Sequence, residues 1–387
     1  MLTNVLCHHQ IGIADCLYSI YGDSFFFIQS REPLDYRVKA HQEGFERPYL
    51  VTYPRDKARS DSLIRNADVL IFGSAPLKIA RKRKSSCLFF KMSEKIFKDT
   101  FKKVGFYGKI RRFLAYKYLK LLTSNRHSYL LANGGFAYND FSHFGLFKNK
   151  ALKWGYFPKM PEIDLDGIAA KQAAATLELV WVGRILRCKQ PLYLLALIEH
   201  LLARGFADFH ISVVGDSSES DFDFFGLMQK TIAEKDLGKY ITMVGKVPAE
   251  EVFDYYKKAQ IALFTSDKSE GWCVGVNEAM SCGCAIVCSN AIGAAPFLLN
   301  KGNAVIFAYD SQEDFCQKTE ALCRDRKRCR ALAMKGREEI ATLWSYATAA
   351  ASLSRIIDGY RKDGLVTPCE SGPCSKADKL SYSWYKE

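Results

Sequence analysis

The chain has 387 residues, of which 48% are hydrophobic and 25% charged, which is the composition of a folded globular protein and not of a disordered one. This length favours two domains over a single core. No apolar run approaches the roughly 18 residues that a membrane-spanning helix needs, and the N-terminus lacks the basic start of a secretory signal. The thirteen cysteines have no paired spacing, which indicates reduced thiols in a cytoplasmic protein.

The first half of the chain has the pattern of a parallel α/β sheet. Short apolar runs recur between helical or irregular segments, and we predict strands at residues 4–7, 25–29, 49–52, 69–72, 87–90 and 129–132. His8, His9 and Gln10 directly follow the first run. Because ligands bind beyond the carboxyl ends of the strands in such sheets, we expect this loop to lie at a binding site.

Positive charge is concentrated in this half. Residues 1–158 carry 27 Lys and Arg against 12 Asp and Glu, and the rest of the chain carries 28 against 30. Residues 78–120 alone hold 15 basic and two acidic residues, interleaved with Phe and Tyr. This mixture suits an anionic membrane surface, although nucleic acid would use the same residues and a plain solvated basic face has the same composition. We favour the membrane surface and expect no nucleic acid.

The second half repeats the α/β pattern. An apolar run at residues 177–182 leads into Gly183 and Arg184, with Lys189 five residues further on. Further strands are predicted at residues 210–214, 241–244 and 304–307. Two helices with basic outer faces are predicted at residues 311–335 and 338–362, with Gly336 as a cap between them.

The most informative stretch runs from residue 264 to residue 296. It reads as strand, glycine-containing loop, helix, strand and loop, with the helix at residues 274–281 and Gly283 as its left-handed cap. Gly271 allows a ligand to approach the backbone closely where the helix begins, and the free N–H groups there favour an anion. A phosphate at this point would leave Glu270 and Glu278 near opposite ends of a nucleotide sugar.

This stretch resembles the donor site of retaining GT-B glycosyltransferases, the glycogen-synthase-like superfamily called glycosyl transferases group 1. The family pattern is E-G-[FW]-G, then x-E-A-M-A-x-G-x-P-V-V-A-S, then a glycine-containing loop that ends in Pro. The chain reads EGWC at 270–273, NEAMSCGCAIVCS at 277–289 and GAAP at 293–296. Cys273 replaces the usual Gly, and Ala285 stands at the usual Pro.

The resemblance implies an α/β fold of the GT-B type, with two Rossmann-like domains that face each other across a cleft. Together with the proline- and alanine-containing linker and a tail rich in Pro, Ser and charge, it divides the chain into five parts. These are an acceptor- and membrane-facing domain, a linker, a nucleotide-sugar donor domain, a helix that returns to the first domain and a loosely ordered tail, at residues 1–158, 159–176, 177–345, 346–363 and 364–387.

The same resemblance assigns the donor site. Arg184 and Lys189 match the family motif G-R-L-x-x-x-K, whose cations hold the donor diphosphate without a metal or another cofactor. Glu270 then positions hydroxyls of the transferred sugar, and Glu278 accepts hydrogen bonds from the ribose. The remaining donor-side positions are Gly183, Val244, Gly245, Lys246, Gly271, Trp272, Cys273 and Val274, which contribute backbone groups in the main.

A bacterial surface-polysaccharide subset of the superfamily also resembles the first domain. Its members open with a His-His-Gln-like turn, carry S-E-[RK]-x-[FY]-K (here residues 93–98) and end the domain with W-G-Y-F-P (here residues 154–158). The resemblance implies acceptor contacts from His8, Gln10 and Glu94, and assistance to catalysis from His9. The glycine-rich loop that many members place after the first strand is missing from this sequence.

We therefore predict a metal-independent retaining glycosyltransferase that moves a sugar from a nucleoside diphosphate sugar to a carbohydrate acceptor. The expected acceptor is a lipid-linked precursor of a bacterial surface polysaccharide, such as lipopolysaccharide or capsule, at the inner face of the cytoplasmic membrane. The pattern shows no enzymic nucleophile, which favours a front-face reaction. The alternatives are an epimerase or phosphorylase on the same fold, and a non-catalytic basic protein that binds nucleic acid.

Overall fold

The computed structural model describes residues 1–32, 46–96, 106–161, 165–217 and 222–386. The chain forms two compact units. The first consists of Met1–Lys159 with Leu343–Leu380, and the second of Met160–Thr342 with Ser381–Glu387.

Each unit contains one sheet in which all the paired strands are parallel. The strands of the first unit are β1 Leu2–Thr3, β2 Phe27–Gln29, β3 Leu50–Thr52, β4 Val69–Phe72, β5 Leu88–Ser93, β6 Ser128–Asn133 and β7 Ala151–Trp154. Those of the second are β8 Leu177–Val182, β9 Phe209–Val214, β10 Ile241–Gly245, β11 Ile261–Phe264, β12 Ala285–Ser289 and β13 Ala304–Phe307. The strand orders are β3-β2-β1-β4-β5-β6-β7 and β10-β9-β8-β11-β12-β13. The predicted α/β class is confirmed.

Helices connect the strands. In chain order they are α1 His8–Tyr21, α2 Lys57–Asn66, α3 Leu77–Ala80, α4 Phe106–Thr123, α5 Ala137–His143, α6 Leu165–Ala173, α7 Tyr193–Ala203, α8 Phe224–Glu234, α9 Ala249–Lys258, α10 Gly275–Ser281, α11 Ala295–Leu298, α12 Gln312–Arg324, α13 Arg326–Thr342 and α14 Tyr346–Asp363. Short 3₁₀ turns lie at Gly22–Ser24, Arg187–Lys189 and Trp384–Lys386. In the described part of the chain, no helix combines the length and apolarity needed to cross a bilayer.

Local sequence accounts for several helix ends. The Asp56 carboxylate accepts from the N–H of Arg59 at the start of α2, and the Ser345 hydroxyl caps α14 by accepting from the N–H of Thr348. The last helix stops at Gly364, whose φ of +71° is the left-handed cap that glycine adopts without strain.

The central strands are apolar along their whole length. All residues of β6, β11, β12 and β13 are buried, because helices on both faces of a parallel sheet exclude water from alternate side chains alike. This explains why continuous apolar runs, and not alternation, marked these strands in the sequence.

The N-terminal strand and the loop after it differ from the prediction. The strand is Leu2–Thr3 and not residues 4–7, and His8, His9 and Gln10 form the first turn of α1 and not a loop. The short strand pairs with both β2 and β4. The helix therefore begins close to the carboxyl end of a central strand.

The end of the chain differs as well. Gly336 lies inside α13 and separates no helices, and the break falls instead after Arg324. The predicted loose tail pairs with β7: the N–H of Lys153 donates to Ser375 (2.7 Å), and the N–H of Ala377 donates to Ala151 (2.9 Å). Edge strands expose unpaired backbone groups, so this pairing covers an otherwise open edge.

Three glycines bring the carboxyl ends of β8, β9 and β10 together. The N–H of Gly183 donates to the carbonyl of Val214 (3.0 Å), and the N–H of Gly215 donates to that of Gly245 (2.8 Å). A Cβ atom on Gly215, whose φ is +136°, would lie 1.9 Å from the carbonyl oxygen of Gly183. Only glycine fits at this position.

We expect Gly215→Ala to lower the free energy of unfolding by about 3 kcal/mol, because the clash with a backbone carbonyl adds to an unfavourable φ. Gly205→Ala is the matched control, since Gly205 also has a positive φ (+70°) but has nothing within 4 Å of the added Cβ. Gly205→Ala should lower the free energy of unfolding by about 1 kcal/mol. Equal losses for the two variants in urea unfolding would contradict the steric explanation.

Candidate active site

The loop after β8 carries Lys189 back towards the end of its own strand. A Cβ atom on Gly183 would lie 3.8 Å from Cε and 3.9 Å from Nζ of Lys189. The N–H of Asp267 donates to the carbonyl of Cys188 (2.8 Å), which ties this loop to the one after β11. The order of the sheet reverses between β8 and β11, and ligands bind at such points in doubly wound sheets.

Lys189 and Glu270 form an ion pair at this point. Each side chain is only 15% exposed. The hydroxyl of Ser266 donates to Oε2 of Glu270 (3.0 Å), and the N–H of Gly271 donates to Oε1 (3.1 Å). The carboxylate is thus held by three donors, which offsets the cost of burying it.

The pair fixes the charge state of both groups. Burial alone would raise the pKa of Glu270, but the Lys189 ammonium and the donors from Ser266 and Gly271 outweigh burial and lower it. Burial alone would likewise lower the pKa of Lys189, but Cys273 and the Glu270 carboxylate beside it outweigh burial and raise it above the ordinary value. The site therefore keeps a carboxylate and an ammonium side by side at neutral pH.

The loop after β12 holds the backbone at residues 271 and 272. The N–H of Gly293 donates to Gly271 (2.9 Å), and that of Ala294 donates to Trp272 (3.0 Å). A Cβ atom on Gly293 would lie 2.3 Å from the Gly271 oxygen. Trp272 is buried, and its Nε1 donates to Oδ1 of Asn277 (2.8 Å), so its indole braces the loop from inside the unit.

The departure from the family pattern lies at the position after Trp272. Cys273 has a φ of +68°, which is the region that favours the glycine usual there. Its Sγ lies 3.9 Å from Nζ of Lys189. Among the described residues, none accepts a hydrogen bond from the N–H groups of Cys273 and Val274.

Glu278 lies on α10, the helix that follows this loop, and is half-buried. Burial raises its pKa to about 7. The Tyr256 hydroxyl lies beside the same helix start, and a Cβ atom on Gly275 would be 2.9 Å from it. Tyr256 is completely buried.

The other donor-side residues lie at neighbouring strand ends. Arg184 is exposed, directly after Gly183. Val244 is half-buried and Lys246 exposed on either side of Gly245, whose φ is +82°. The second unit thus collects Gly183, Arg184, Lys189, Val244, Gly245, Lys246, Glu270, Gly271, Trp272, Cys273, Val274 and Glu278 at the carboxyl ends of its strands or just beyond them.

The first unit has a cluster of polar side chains at the carboxyl ends of β5, β6 and β7. Tyr156 is hydrogen-bonded to Glu94 and Asn133, and burial and the Glu94 charge raise its pKa. Its ring lies 5.7 Å from that of His9, which lies 3.6 Å from the ring of His8. Tyr156 lies within the W-G-Y-F-P motif, which implied no role for it, although its place just after a strand was the available signal.

The remaining first-unit predictions are only partly described. Gln10 is buried, with its Oε1 accepting from the thiol of Cys7 (3.5 Å), so its side chain packs within the unit. Phe97 and Lys98 of the 93–98 motif lie outside the described residues. The same holds for part of the basic segment 78–120.

Comparison with solved structures defines the class of the fold. HepE from Anabaena, solved with UDP and glucose, is 15% identical, with a TM-score of 0.61 over 92% of this chain and 99% of that one. A glycosyltransferase from Rickettsia africae is 13% identical, with a TM-score of 0.66 over 94% and 98%. WaaG, a glycosyltransferase involved in lipopolysaccharide biosynthesis, is 15% identical, with a TM-score of 0.61 over 92% and 98%. The fold matches GT-B glycosyltransferase structures.

A family model matches part of the chain. Residues 171–339, which include the whole candidate donor site, match the family described as glycosyl transferases group 1. The second unit is therefore similar in sequence to this family, and the match falls on the same residues as the resemblance. A search of curated proteins found no match.

We expect Lys189→Met to lower the free energy of unfolding by about 3–5 kcal/mol, because it leaves the Glu270 carboxylate buried without its partner. The double variant Lys189→Met/Glu270→Gln should cost less than the sum of the single changes, with a coupling energy of about 2 kcal/mol in urea unfolding.

The exposed pair Lys230–Glu234, whose side chains are 72% and 61% exposed, is the matched control. Its coupling energy should stay below about 1 kcal/mol. A coupling at Lys189–Glu270 no larger than this would show that the buried pair is not a structural unit.

Proposed function

We propose that this protein is a retaining glycosyltransferase that uses a nucleoside diphosphate sugar as donor. The observation that carries the proposal is the Lys189–Glu270 pair, held beside the loop at 271–274 where the sheet order reverses. HepE, which shares the fold, has been solved in complex with UDP and glucose and also in complex with UDP-glucose. This supports a uridine nucleotide as the first donor to test.

The diphosphate is held by Arg184, Lys189 and the N–H groups of Cys273 and Val274. An ammonium has three donors, so Lys189 binds a phosphate oxygen while it keeps Glu270 as its partner. Glu270 also presents its second oxygen to the hydroxyls of the transferred sugar. Glu278, further along the helix, accepts from the ribose hydroxyls.

These cations act most strongly in the transition state. The bond between the anomeric carbon and the diphosphate oxygen breaks, and the electron pair leaves with the nucleoside diphosphate. Fixed positive charges stabilise the negative charge that develops there, so the reaction proceeds without a metal or another cofactor. The acceptor hydroxyl attacks from the same face and gives its proton to the leaving phosphate oxygen, which retains the anomeric configuration.

The first unit supplies the acceptor side. The hydrogen bond from Tyr156 orients Glu94 at the carboxyl end of β5, where it accepts from an acceptor hydroxyl, and His8 and His9 lie at the start of α1 near the same sheet edge. Gln10 packs inside the unit and contributes through the position of this turn. Acceptor assistance by His9 rests on the resemblance and on its contact with the Tyr156 ring.

Helix α4 supports an anionic membrane as the partner of this unit. Phe113, Leu114 and Leu121 are 50%, 57% and 74% exposed, and the basic residues Lys117 and Lys120 lie between them. Apolar side chains flanked by ammonium groups are typical of helices that lie in a lipid interface. The involvement of WaaG in lipopolysaccharide biosynthesis supports a lipid-linked bacterial glycan as acceptor, with the protein peripheral on the cytoplasmic side.

The function is tested by incubating the protein with UDP- and GDP-sugars and measuring released nucleoside diphosphate. Lys189→Met should lower the rate at least about 100-fold, as is usual when a group that stabilises transition-state charge is removed. Lys258→Met, which removes an exposed lysine from the surface of the same unit, is the control and should keep the wild-type rate. Absence of both nucleotide binding and release across the donor panel would refute the proposal.

For the membrane, we expect Phe113→Ser/Leu121→Ser to reduce recovery with floated vesicles of phosphatidylcholine and phosphatidylglycerol at least about tenfold, since each change removes an apolar side chain worth about 1.5–3 kcal/mol when buried. Leu365→Ser is the matched control, because Leu365 is 68% exposed on the same unit but outside α4. Equal recovery with neutral and anionic vesicles would count against this partner.

A further inference from the structure

Lys91 is a half-buried cation near the carboxyl end of β5 that the proposed donor chemistry does not use. Its Nζ donates to the carbonyl oxygens of Gly73 (2.8 Å) and Met92 (3.0 Å). The same nitrogen lies 4.9 Å from the centroid of the Phe72 ring. These contacts direct the side chain towards the carboxyl end of β4.

No carboxylate neutralises this ammonium within the described ranges. Its partners are two neutral carbonyls and an aromatic ring, and burial lowers the pKa of Lys91 to about 7. A buried charge is normally paired, because leaving water without an ion partner costs several kcal/mol. Of its three N–H donors two are used, so one remains for a ligand.

A cavity of about 240 Å³ opens at the same place. Lys91, Ser74 and Ser93 are the polar side chains on the strand ends that line it, and the Ser93 hydroxyl already donates to the carbonyl of Glu94. The other walls are chiefly apolar and aromatic: Phe72, Leu77, Ile96, Tyr116, Leu119 and Phe141. The cavity therefore offers the Lys91 ammonium and the Ser74 hydroxyl at the strand ends and the Tyr116 hydroxyl on the helix side, within an otherwise apolar lining.

We propose that this cavity is a phosphate subsite of the first unit, in which Lys91 and Ser74 bind the phosphate group of the acceptor. The proposal rests on the proposed function, because it names the acceptor of that reaction as a phosphate ester. An anion supplies the missing partner of Lys91, and the apolar walls cover the organic group next to it.

The lining favours a phosphate over a bare sugar. A sugar ring carries several hydroxyls, and each loses hydrogen bonds to water if the pocket offers no partner. Here the apolar walls offer few such partners. A phosphate instead has all its hydrogen-bond acceptors in one group. The remaining N–H of Lys91 and the Ser74 hydroxyl can donate to that group.

The wall of the cavity also connects it with the membrane-facing helix. Tyr116 and Leu119 belong to α4, the same helix whose exposed side carries Phe113, Leu114 and Leu121. A phosphate at the end of a lipid therefore has an apolar path next to the subsite. A free sugar phosphate presents the same anionic group without the lipid.

The test is calorimetric titration of the full chain, without donor, with n-decyl phosphate, glucose 1-phosphate and n-decanol. The phosphate compounds should bind, and the neutral alcohol should bind at least tenfold more weakly than decyl phosphate. Lys91→Met, which keeps an apolar stem over Phe72, should weaken phosphate binding at least tenfold. Lys78→Met removes an exposed lysine next to the cavity-lining Leu77 and should leave binding unchanged.

A second pair of variants avoids any effect of Lys91 on folding. Ser74 is exposed, so Ser74→Asp places a carboxylate at the mouth of the cavity and should abolish phosphate binding, whereas the neutral Ser74→Asn should reduce it less than threefold. Tighter binding of decyl phosphate than of glucose 1-phosphate assigns the phosphate to a lipid, and the reverse order assigns it to a free sugar phosphate; either order supports the subsite.

Equal binding of decyl phosphate and decanol, or phosphate binding that survives both Lys91→Met and Ser74→Asp, would overturn the proposal. The measurement requires no turnover. If phosphate binding fails, nucleoside diphosphate release still tests the proposed function separately. If nucleoside diphosphate release fails, the phosphate-binding result is unaffected.

Discussion

The ion pair between Lys189 and Glu270 is the interaction on which the candidate site depends. A lysine at this depth tends to lose its proton, and a neutral amine would not hold a diphosphate. The carboxylate reverses that tendency, while Ser266 and the Gly271 backbone hold the carboxylate in turn. The site is thus charged and oriented before any ligand arrives, which is the arrangement that transition-state stabilisation requires.

The two units place a lysine in related positions with opposite electrostatics. Lys189 follows β8 and Lys91 lies near the end of β5, both at the carboxyl edge of a parallel sheet. Lys189 has a carboxylate partner, which raises its pKa, whereas Lys91 has carbonyls and a ring, and burial lowers its pKa to about 7. This difference agrees with the two proposals, in which Lys189 is a permanent cation for the donor and Lys91 is a cation completed by the ligand that it binds.

Local sequence patterns predicted the structure correctly wherever one such pattern determined it. Continuous apolar runs predicted the buried strands, and Gly283 predicted the end of α10, where its φ is +68°. Local patterns failed for the tail, because its order comes from pairing with β7, which is distant in the sequence. They also failed at Gly336, which stays helical inside α13. An added Cβ atom there would lie 3.6 Å from the Asn303 carbonyl oxygen, which is an ordinary contact, so the surroundings do not require a glycine.

Cys273 shows how the site accommodates a residue outside the family pattern. A side chain at φ +68° costs about 1–2 kcal/mol relative to glycine, and its thiol lies 3.9 Å from the Lys189 ammonium. A thiolate there would compete with both Glu270 and a bound diphosphate for the same cation. Burial prevents this by raising the pKa of Cys273 to about 12, so the sulfur stays uncharged at neutral pH. The substitution therefore costs backbone strain but leaves the charge of the site to Lys189, Glu270 and the ligand.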